Sequence, residues 1–194
     1  MSLSENYYEQ NADQFFDATV DVDMRSLYSK FLPELRSGAT IVDAGCGSGR
    51  DTKAFSEAGF SCIAFDASPT LVAQAEIYVG NTIQHCSFLD FDSAVEVDAI
   101  WACASLLHVE YSELSRTFSH LSSFLKRGGI FYCSFKHGEL TVERNGRRFT
   151  NLNHERLKEV IEPTKLQIKQ DWITGDLREG RNAEQWLNAI LVKT

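Results

Sequence analysis

The sequence predicts an α/β fold in which helices cover both faces of a doubly wound, mostly parallel sheet of seven strands. Three observations support this: apolar strand-like runs alternate with helical stretches, a glycine-rich turn follows the first run, and no helix separates the last two runs. Strands joined without a crossover helix pair antiparallel, so we expect an antiparallel C-terminal hairpin. The 194 residues suffice for one domain with one core, which we place over 1–194.

Two helices, over 5–19 and 22–36, precede the first strand in this prediction. Apolar residues recur there at helical spacing, and Gly38 ends the second helix. Farther along, Ser68 followed by Pro69 predicts a helix start, because serine caps a helix and proline suits its first position. The predicted strands are 39–44, 60–65, 82–87, 97–103, 130–136, 165–173 and 185–193, and the further helices are 49–59, 69–79, 111–126 and 153–162.

Composition and charge narrow the classes of partner. The formal net charge of −8 offers no general basic surface for phosphates, so we expect no nucleic-acid partner. No apolar run reaches the roughly 18 residues of a transmembrane helix, and no signal-peptide pattern opens the chain, so we expect a cytoplasmic protein without a membrane partner. The 5 cysteines form no Cys-x-x-Cys pair and the 5 histidines show no metal-ligand spacing, which predicts a reducing compartment and no metal.

The most informative stretch is Ile41–Gly49, which reads Ile-Val-Asp-Ala-Gly-Cys-Gly-Ser-Gly. It describes a buried strand that runs into a turn where glycines let the backbone lie against a bound molecule. In open α/β sheets, ligands bind at the carboxyl ends of the strands. The stretch therefore predicts a site for a cofactor that carries a nucleoside.

The spacing of the glycines narrows the choice of cofactor. The dinucleotide fingerprint needs Gly-x-Gly-x-x-Gly, and Arg50 stands where its third glycine belongs. A Walker-type phosphate loop needs Gly-Lys-Ser/Thr, which is absent after Gly49. Asp66 ends the second apolar run and suits the hydroxyls of a ribose, and a further acidic turn, Leu89–Asp92, follows the third run.

Taken in order along the chain, these motifs resemble the class I S-adenosylmethionine-dependent methyltransferases. The resemblance rests on Asp43–Gly49, Asp66 and Leu89–Phe91, on Asp98–His108 as the fourth strand with its loop, and on Leu125–Cys133 as the fifth strand. Within the family, the chain looks most similar to small bacterial methyltransferases, some of which are labelled as related to tellurite resistance.

The resemblance implies a Rossmann-like fold in three parts: an N-terminal helical lid over 1–37, a cofactor-binding core over 38–136, and a substrate-side insert with a closing hairpin over 137–194. It also implies S-adenosylmethionine as methyl donor, S-adenosylhomocysteine as product, and a small molecule as methyl acceptor. Two alternatives stay open. One is a nicotinamide-dependent oxidoreductase, which also needs Asp66, and the other is a protein that binds S-adenosylmethionine without turnover.

The resemblance and the residue types together assign roles in the cofactor site. We expect Gly45 and Gly47 to admit the methionine and ribose portions, Gly49 to let the helix close on the sheet, and Asp66 to accept the ribose hydroxyls. The helix N-terminus after the loop favours the carboxylate of the cofactor. The predicted cofactor-binding residues are Tyr8, Arg25, Asp43, Ala44, Gly45, Gly47, Gly49, Asp66, Ala67, Asp90, Phe91 and Ala104.

Several of these assignments have competing interpretations. Asp90 would accept from the adenine amino group, but Asp92 competes for that role. Tyr7 and Tyr8 either belong to a lid with an aromatic face near the sulfonium cation or pack on the surface. Arg25 either meets the carboxylate of the cofactor or is solvated.

On the acceptor side, His108 is the candidate catalytic residue. It lies just past the fourth predicted strand, where it would serve as a general base or cap an apolar loop. Residues 137–150 are polar and basic without a clear period, which predicts an irregular insert. Its arginines, Arg144, Arg147 and Arg148, either bind an acidic substrate or form a solvated basic loop. Trp172, Arg178 and Arg181 border the final hairpin and are candidates for the wall of the substrate site, whereas Trp186 is predicted in the core.

Overall fold

The computed structural model describes residues 3–178, 180–181 and 183–194, with the side chain of Leu3 excepted. The first two residues of the predicted lid and two residues of the loop 174–184 lie outside this part. The strands are β1 (Thr40–Ala44), β2 (Ser61–Asp66), β3 (Gln84–His85), β4 (Val97–Ala102), β5 (Leu125–Lys136), β6 (Thr141–Arg144), β7 (Arg147–Thr150), β8 (Leu166–Gly175) and β9 (Gln185–Lys193). The helices are α1 (Leu3–Gln10), α2 (Ala12–Thr19), α3 (Arg25–Phe31), α4 (Arg50–Glu57), α5 (Pro69–Val79), α6 (Tyr111–Ser123) and α7 (His154–Ile161).

The main sheet has seven strands in the order β3-β2-β1-β4-β5-β9-β8. Strands β1 to β5 run parallel, whereas β9 pairs antiparallel with both β5 and β8. The order reverses at β1, which places a crevice at the carboxyl ends of β1 and β4, where open α/β sheets bind ligands. The predicted fold class, including the antiparallel closing hairpin, is confirmed.

Both faces of the sheet are covered by helices because alternate side chains of each central strand point to opposite sides. On one face, Ile41 and Trp101 pack with Phe31 of α3 and Phe55 of α4. On the other face, side chains such as Ile100 join α6 and α7 in a larger cluster. Burial of apolar side chains on both faces is the main source of stability in such a sheet.

The N-terminal helices are shorter than predicted. Helix 5–19 is split into α1 and α2 because Asn11 leaves the helical region (φ −125°, ψ 25°) and its side-chain amide donates to the Tyr7 carbonyl at 2.8 Å. Helix 22–36 is reduced to α3 and a 3₁₀ turn over Leu32–Glu34, since Pro33 has no N–H to continue an α-helix. Helix α3 packs against the sheet, whereas α1 contacts β7 and α5, and α2 contacts α5.

The stretch 137–150 is not irregular, and that prediction was wrong. It contains the hairpin of β6 and β7, which pair antiparallel in a separate two-stranded sheet. Asn145 and Gly146 form the turn with positive φ of 52° and 70°, the geometry for which Asn-Gly is the strongest sequence signal. All four residues of β6 are exposed, so no alternation of apolar and polar residues marks it as a strand.

Other boundaries moved by a few residues. The third strand, predicted over 82–87, is only Gln84–His85, because the chain turns at Ser87, whose carbonyl accepts from the amides of Asp90 and Phe91. The fifth strand begins at Leu125 instead of 130, next to an irregularity in its pairing with β4. The cap at Ser68 is confirmed, since its hydroxyl accepts from the Leu71 amide.

Within the described part of the chain, no helix has the length and apolarity that a membrane crossing requires.

Candidate active site

A cavity of about 440 Å³ opens at the carboxyl ends of β1, β2 and β4. The glycine loop after β1 forms its floor, α1 and the β6–β7 hairpin lie over it, and the segment after β8 forms a side wall. Seven of the predicted site residues line this cavity: Tyr8, Gly45, Gly47, Asp66, Ala67, Ala104 and His108.

The glycine loop is held tightly in place and has no room for side chains. The amides of Gly45 and Cys46 both donate to the Phe65 carbonyl at 3.0 Å, which ties the end of β1 to the end of β2. Gly45 has φ +76°, and a Cβ there would lie 2.7 Å from the Cβ of Ser105. A Cβ on Gly47, at φ +54°, would lie 2.9 Å from the ring of Phe15. Ser105 and Phe15 therefore pack where these Cβ atoms would lie, and the loop borders the cavity without side chains at Gly45 and Gly47.

Asp66 is the acidic side chain that faces the cavity beside this loop. Its carboxylate accepts from the Gly47 amide at 2.9 Å and from the Ser68 amide at 3.0 Å. Burial raises the pKa of Asp66, and these backbone hydrogen bonds oppose the increase. A carboxylate offers about four acceptor positions, so the two bonds leave acceptor capacity for two ribose hydroxyls. The residues present therefore fit the nucleoside of the predicted cofactor.

Asp43, Ala44 and Gly49 lie behind the cavity and do not line it. Asp43 is buried and accepts from the Thr52 hydroxyl at 2.5 Å; burial and the nearby Asp51 carboxylate raise its pKa. The Ala44 carbonyl accepts from the Ser105 hydroxyl at 2.6 Å. Gly49 makes room for helix α5, since a Cβ there would lie 2.8 Å from Val79, so it serves helix packing and not closure on the sheet. All three residues support the loop from behind.

Arg50 directly follows the glycine loop and was not among the predicted cofactor-binding residues. It lines the cavity and donates to the Asp51 carboxylate through Nε at 2.7 Å and Nη2 at 2.9 Å. Burial raises the pKa of Asp51, but Arg50, Tyr28 and Trp101 donate to its carboxylate and the net pKa is lowered. Arg25 lies outside the cavity, where it pairs with Asp23 and its side chain is 87% exposed.

The acidic turn after the third strand is also placed differently from the prediction. Asp90 accepts from the Ser87 hydroxyl at 2.6 Å and does not line the cavity. Phe91 is buried and stacks on Phe65 with ring centroids 4.5 Å apart. Asp92 accepts from the Ser93 amide in an exposed turn. The residues that face the cavity here are Cys86, Ser87 and Phe88.

His108 lies opposite the glycine loop and is hydrogen-bonded at both ring nitrogens. Its Nδ1 lies 2.6 Å from the Arg148 carbonyl, which accepts only, so Nδ1 carries the proton and donates. Its Nε2 therefore accepts from the Tyr8 hydroxyl at 2.8 Å. Burial lowers the pKa of His108 to about 4, which keeps the ring neutral near pH 7. Burial raises the pKa of Tyr8, and the Arg147 guanidinium beside it opposes that increase.

Basic side chains from three elements surround the far end of the cavity. Arg148 pairs with Glu110 and Glu143, and the guanidinium of Arg147 lies 4.3 Å from the ring centre of Tyr7. The segment after β8 adds Arg178 and Arg181, as predicted for the substrate wall, together with Trp186. Trp186 was predicted in the core, but its side chain is half-buried and lines the cavity, with its indole N–H donating to Asp176 at 3.2 Å. Trp172 does not line the cavity and packs near Tyr132.

This chain belongs to the methyltransferase domain family, whose profile matches residues 16–167. The predicted class, an S-adenosylmethionine-dependent methyltransferase, is thereby confirmed, and the nicotinamide-dependent oxidoreductase is not supported. At the level of sequence, no curated protein is significantly similar to the chain.

Solved structures show the same fold. One is a Burkholderia thailandensis 1,6-didemethyltoxoflavin-N1-methyltransferase with bound 1,6-didemethyltoxoflavin and S-adenosylhomocysteine (TM-score 0.83, 18% identity, 98% of this chain and 87% of that chain covered). A second is the Synechocystis magnesium protoporphyrin IX methyltransferase with S-adenosylhomocysteine (TM-score 0.77, 15% identity, 98% and 97% covered). A third is the N-methyltransferase NodS from Bradyrhizobium japonicum, also with S-adenosylhomocysteine (TM-score 0.74, 14% identity, 95% and 97% covered). The predicted cofactor, S-adenosylmethionine, is consistent with this family and fold.

Proposed function

We propose that the protein transfers the methyl group of S-adenosylmethionine to an O–H or N–H group of a small molecule, with Tyr8 and His108 removing the proton. The observation that carries this proposal is that one cavity joins the glycine loop and Asp66 to the Tyr8–His108 hydrogen bond. Two of the three solved structures are parallels, because the 1,6-didemethyltoxoflavin-N1-methyltransferase and the N-methyltransferase NodS are both named for methyl transfer to nitrogen.

On the donor side, Asp66 binds the ribose hydroxyls, and the bare backbone of Gly45 and Gly47 lies along the cofactor. Arg50 takes the place proposed for Arg25, as the cation for the carboxylate of the cofactor. Phe88 provides the apolar wall for the adenine. Tyr8, Ala67 and Ala104 complete the site, while Asp43, Ala44 and Gly49 act by positioning the loop.

When bound, S-adenosylmethionine would supply an electrophilic methyl carbon, whose bond to sulfur breaks as a lone pair of the acceptor bonds to it, with S-adenosylhomocysteine as the leaving group. The protein contributes alignment and exclusion of water, so no further chemical group is required for the displacement itself. The acceptor must lose a proton when its bond to the methyl carbon forms. Tyr8 accepts that proton at its hydroxyl oxygen while passing its own proton to Nε2 of His108, which is neutral and oriented by the Arg148 carbonyl.

A screen of small-molecule acceptors with S-adenosylmethionine labelled in its methyl group tests the proposal. We expect labelled product from the wild type, and a fall of about 100-fold in kcat for both Tyr8→Phe and His108→Ala, with the double variant no worse than either. Tyr78→Phe, on helix α5 outside the cavity, is the matched control and should retain full activity.

Two outcomes would contradict the proposed function, one its turnover and the other its proton relay. Binding of S-adenosylhomocysteine without product from any acceptor would favour the alternative of a binding protein without turnover. If the losses in kcat of the two single variants add up in the double variant, Tyr8 and His108 do not act together as a proton relay.

A further inference from the structure

Most of the positive charges around the acceptor end of the cavity are paired with carboxylates of the protein. Four cationic side chains that line it each have a carboxylate partner: Lys136 and Arg144 pair with Glu184, Arg148 pairs with Glu110 and Glu143, and Arg178 pairs with Asp176. A cation in such a pair attracts an anionic ligand less strongly than a cation that has no carboxylate partner. A cation that lacks a carboxylate partner is therefore the informative exception.

Arg147 is the partly buried one of two such cations. Within the described residues it forms no ion pair, and its Nε is buried without a hydrogen-bond partner. Its guanidinium instead lies against aromatic rings, 4.3 Å from the centre of Tyr7 and 5.2 Å from that of Phe149. A partly buried guanidinium loses part of its hydration, and cation–π contacts recover only part of that loss. Arg181 also lines the cavity without a described ion pair, but it is exposed to water.

Arg147 and the proton-accepting pair share the same aromatic wall. The ring of Phe149 lies 5.2 Å from the Arg147 guanidinium and 5.3 Å from the His108 ring. The ring of Tyr8 lies 5.9 Å from that guanidinium and 5.2 Å from the His108 ring. A small molecule resting on this wall therefore reaches both the guanidinium and the Tyr8 hydroxyl.

The position of Arg147 is fixed by the contact between the hairpin and α1. The Arg148 amide donates to the Ser4 hydroxyl at 3.1 Å, and a Cβ on Gly146 would lie 3.4 Å from the ring of Tyr7. The hairpin thus packs directly on α1. Arg147 follows the turn at Asn145 and Gly146, and its partly buried side chain lines the cavity beneath the hairpin.

We propose that the methyl acceptor is a small carboxylic acid whose carboxylate pairs with Arg147 while its O–H or N–H group faces Tyr8. The guanidinium presents parallel N–H groups that match the two oxygens of a carboxylate, which makes the pair strong and oriented. An acceptor held in this way has its reacting atom directed toward the donor side of the cavity. The inference rests on the proposed function, since it names the acceptor class for the same site.

The experiment measures binding to the protein saturated with S-adenosylhomocysteine. Benzoate and benzamide are titrated separately by ligand-observed NMR, because they share a shape but only benzoate carries a charge. We expect saturable binding of benzoate at about 10 mM or below, and at least about 10-fold weaker binding of benzamide, the range for one charge-assisted pair. Arg147→Gln should remove this preference and leave the affinity for S-adenosylhomocysteine unchanged within about 2-fold.

Arg156→Gln is the matched control. Arg156 also stacks on an aromatic ring, 4.0 Å from the centre of Tyr111, and its Nε is likewise buried without a partner, but it does not line the cavity. This variant should keep the full preference for benzoate. Loss of the preference in both variants would point to a general effect of charge or folding and would overturn the proposal.

The outcomes separate this inference from the proposed function. If the wild type does not bind S-adenosylhomocysteine, the proposed function itself fails. If it binds S-adenosylhomocysteine but shows no saturable binding of benzoate, or binds benzamide equally well, only the carboxylate inference is overturned. Retention of the preference in Arg147→Gln would likewise reject Arg147 as the carboxylate partner.

Discussion

The two halves of the cavity are built in different ways. The donor half uses backbone groups and short side chains at the ends of β1, β2 and β4, such as Gly45, Asp66 and Ala104. The acceptor half uses long side chains, such as Arg147 and Arg178, that come from the separate hairpin and from the segment after β8. The sheet fixes the first set rigidly, whereas the second depends on ion pairs and aromatic contacts. Under the proposed function, methyl donor and acceptor are thus recognised by parts of the fold with different mechanical support.

The largest expected effect is on the most tightly packed point of the donor half. Gly45→Ala combines a left-handed backbone with a Cβ placed 2.7 Å from Ser105, so we expect it to lower the free energy of unfolding by about 3 kcal/mol. Gly80→Ala is the control, since Gly80 has a similar φ of +75° but open space around it, and should cost about 1 kcal/mol. Urea denaturation measures both. Equal losses of unfolding free energy in the two variants would show that the space around Gly45 can accommodate a Cβ.

Asp66→Ala should weaken the binding of S-adenosylhomocysteine by about 100-fold, because two charge-assisted hydrogen bonds to the ribose are lost. Asp90→Asn should change the affinity by less than about 3-fold, because Asp90 contacts Ser87 and does not reach the cavity. Isothermal titration calorimetry measures both. A larger loss in Asp90→Asn than in Asp66→Ala would reverse the assignment of the nucleoside site.

Arg50→Lys should weaken the binding of S-adenosylhomocysteine by about 10-fold, since lysine keeps the charge but loses the paired N–H groups of arginine. The choice of lysine keeps a cation beside the buried Asp51 carboxylate, so the fold is preserved. Arg25→Lys, at an exposed position, should bind with wild-type affinity. If Arg25→Lys binds S-adenosylhomocysteine more weakly than Arg50→Lys in this titration, Arg25 and not Arg50 is the cation for the carboxylate of the cofactor.

The smallest effect concerns the pH dependence of stability in the acceptor half. Because burial lowers the pKa of His108 to about 4, the folded protein leaves the ring neutral where the unfolded chain, with a pKa of about 6.5, takes up a proton. Stability is therefore lost as the pH falls from 6.5 toward 4, by about 1 kcal/mol over the first unit. Between pH 6.5 and 5.5, the free energy of unfolding of the wild type should fall by about 1 kcal/mol more than that of His108→Gln, as measured by denaturation at both pH values. An equal change in both proteins would mean that the His108 ring is not buried as a neutral group.

The difference between the halves also explains how much the sequence revealed. The mostly parallel sheet and the nearness of Gly45, Gly47 and Asp66 follow from rules for α/β folds, because the carboxyl ends of parallel strands meet at one edge. The start of α5 at Ser68 and Pro69 was equally predictable, because helix capping depends on neighbouring residues in the sequence.

What the sequence did not reveal depends on contacts between distant segments. The hydrogen bond between Tyr8 and His108 joins residues that are 100 positions apart, and no local pattern encodes it. The choice between Arg25 and Arg50 was similarly hidden, because burial and not residue type decides which cation faces the cavity. The β6–β7 hairpin is the exception, since Asn145 and Gly146 gave a local turn signal that the polar composition of the stretch obscured.

A crystal structure of the protein with S-adenosylhomocysteine tests the central claim most directly. We expect the ribose hydroxyls to donate to the Asp66 carboxylate, the backbone of Gly45 and Gly47 to lie along the ligand, and Arg50 to face the carboxylate of the ligand. The acceptor half should remain open for a second molecule beside Tyr8 and Arg147. Binding of S-adenosylhomocysteine with its ribose away from Asp66, or in the acceptor half, would contradict the division of the cavity.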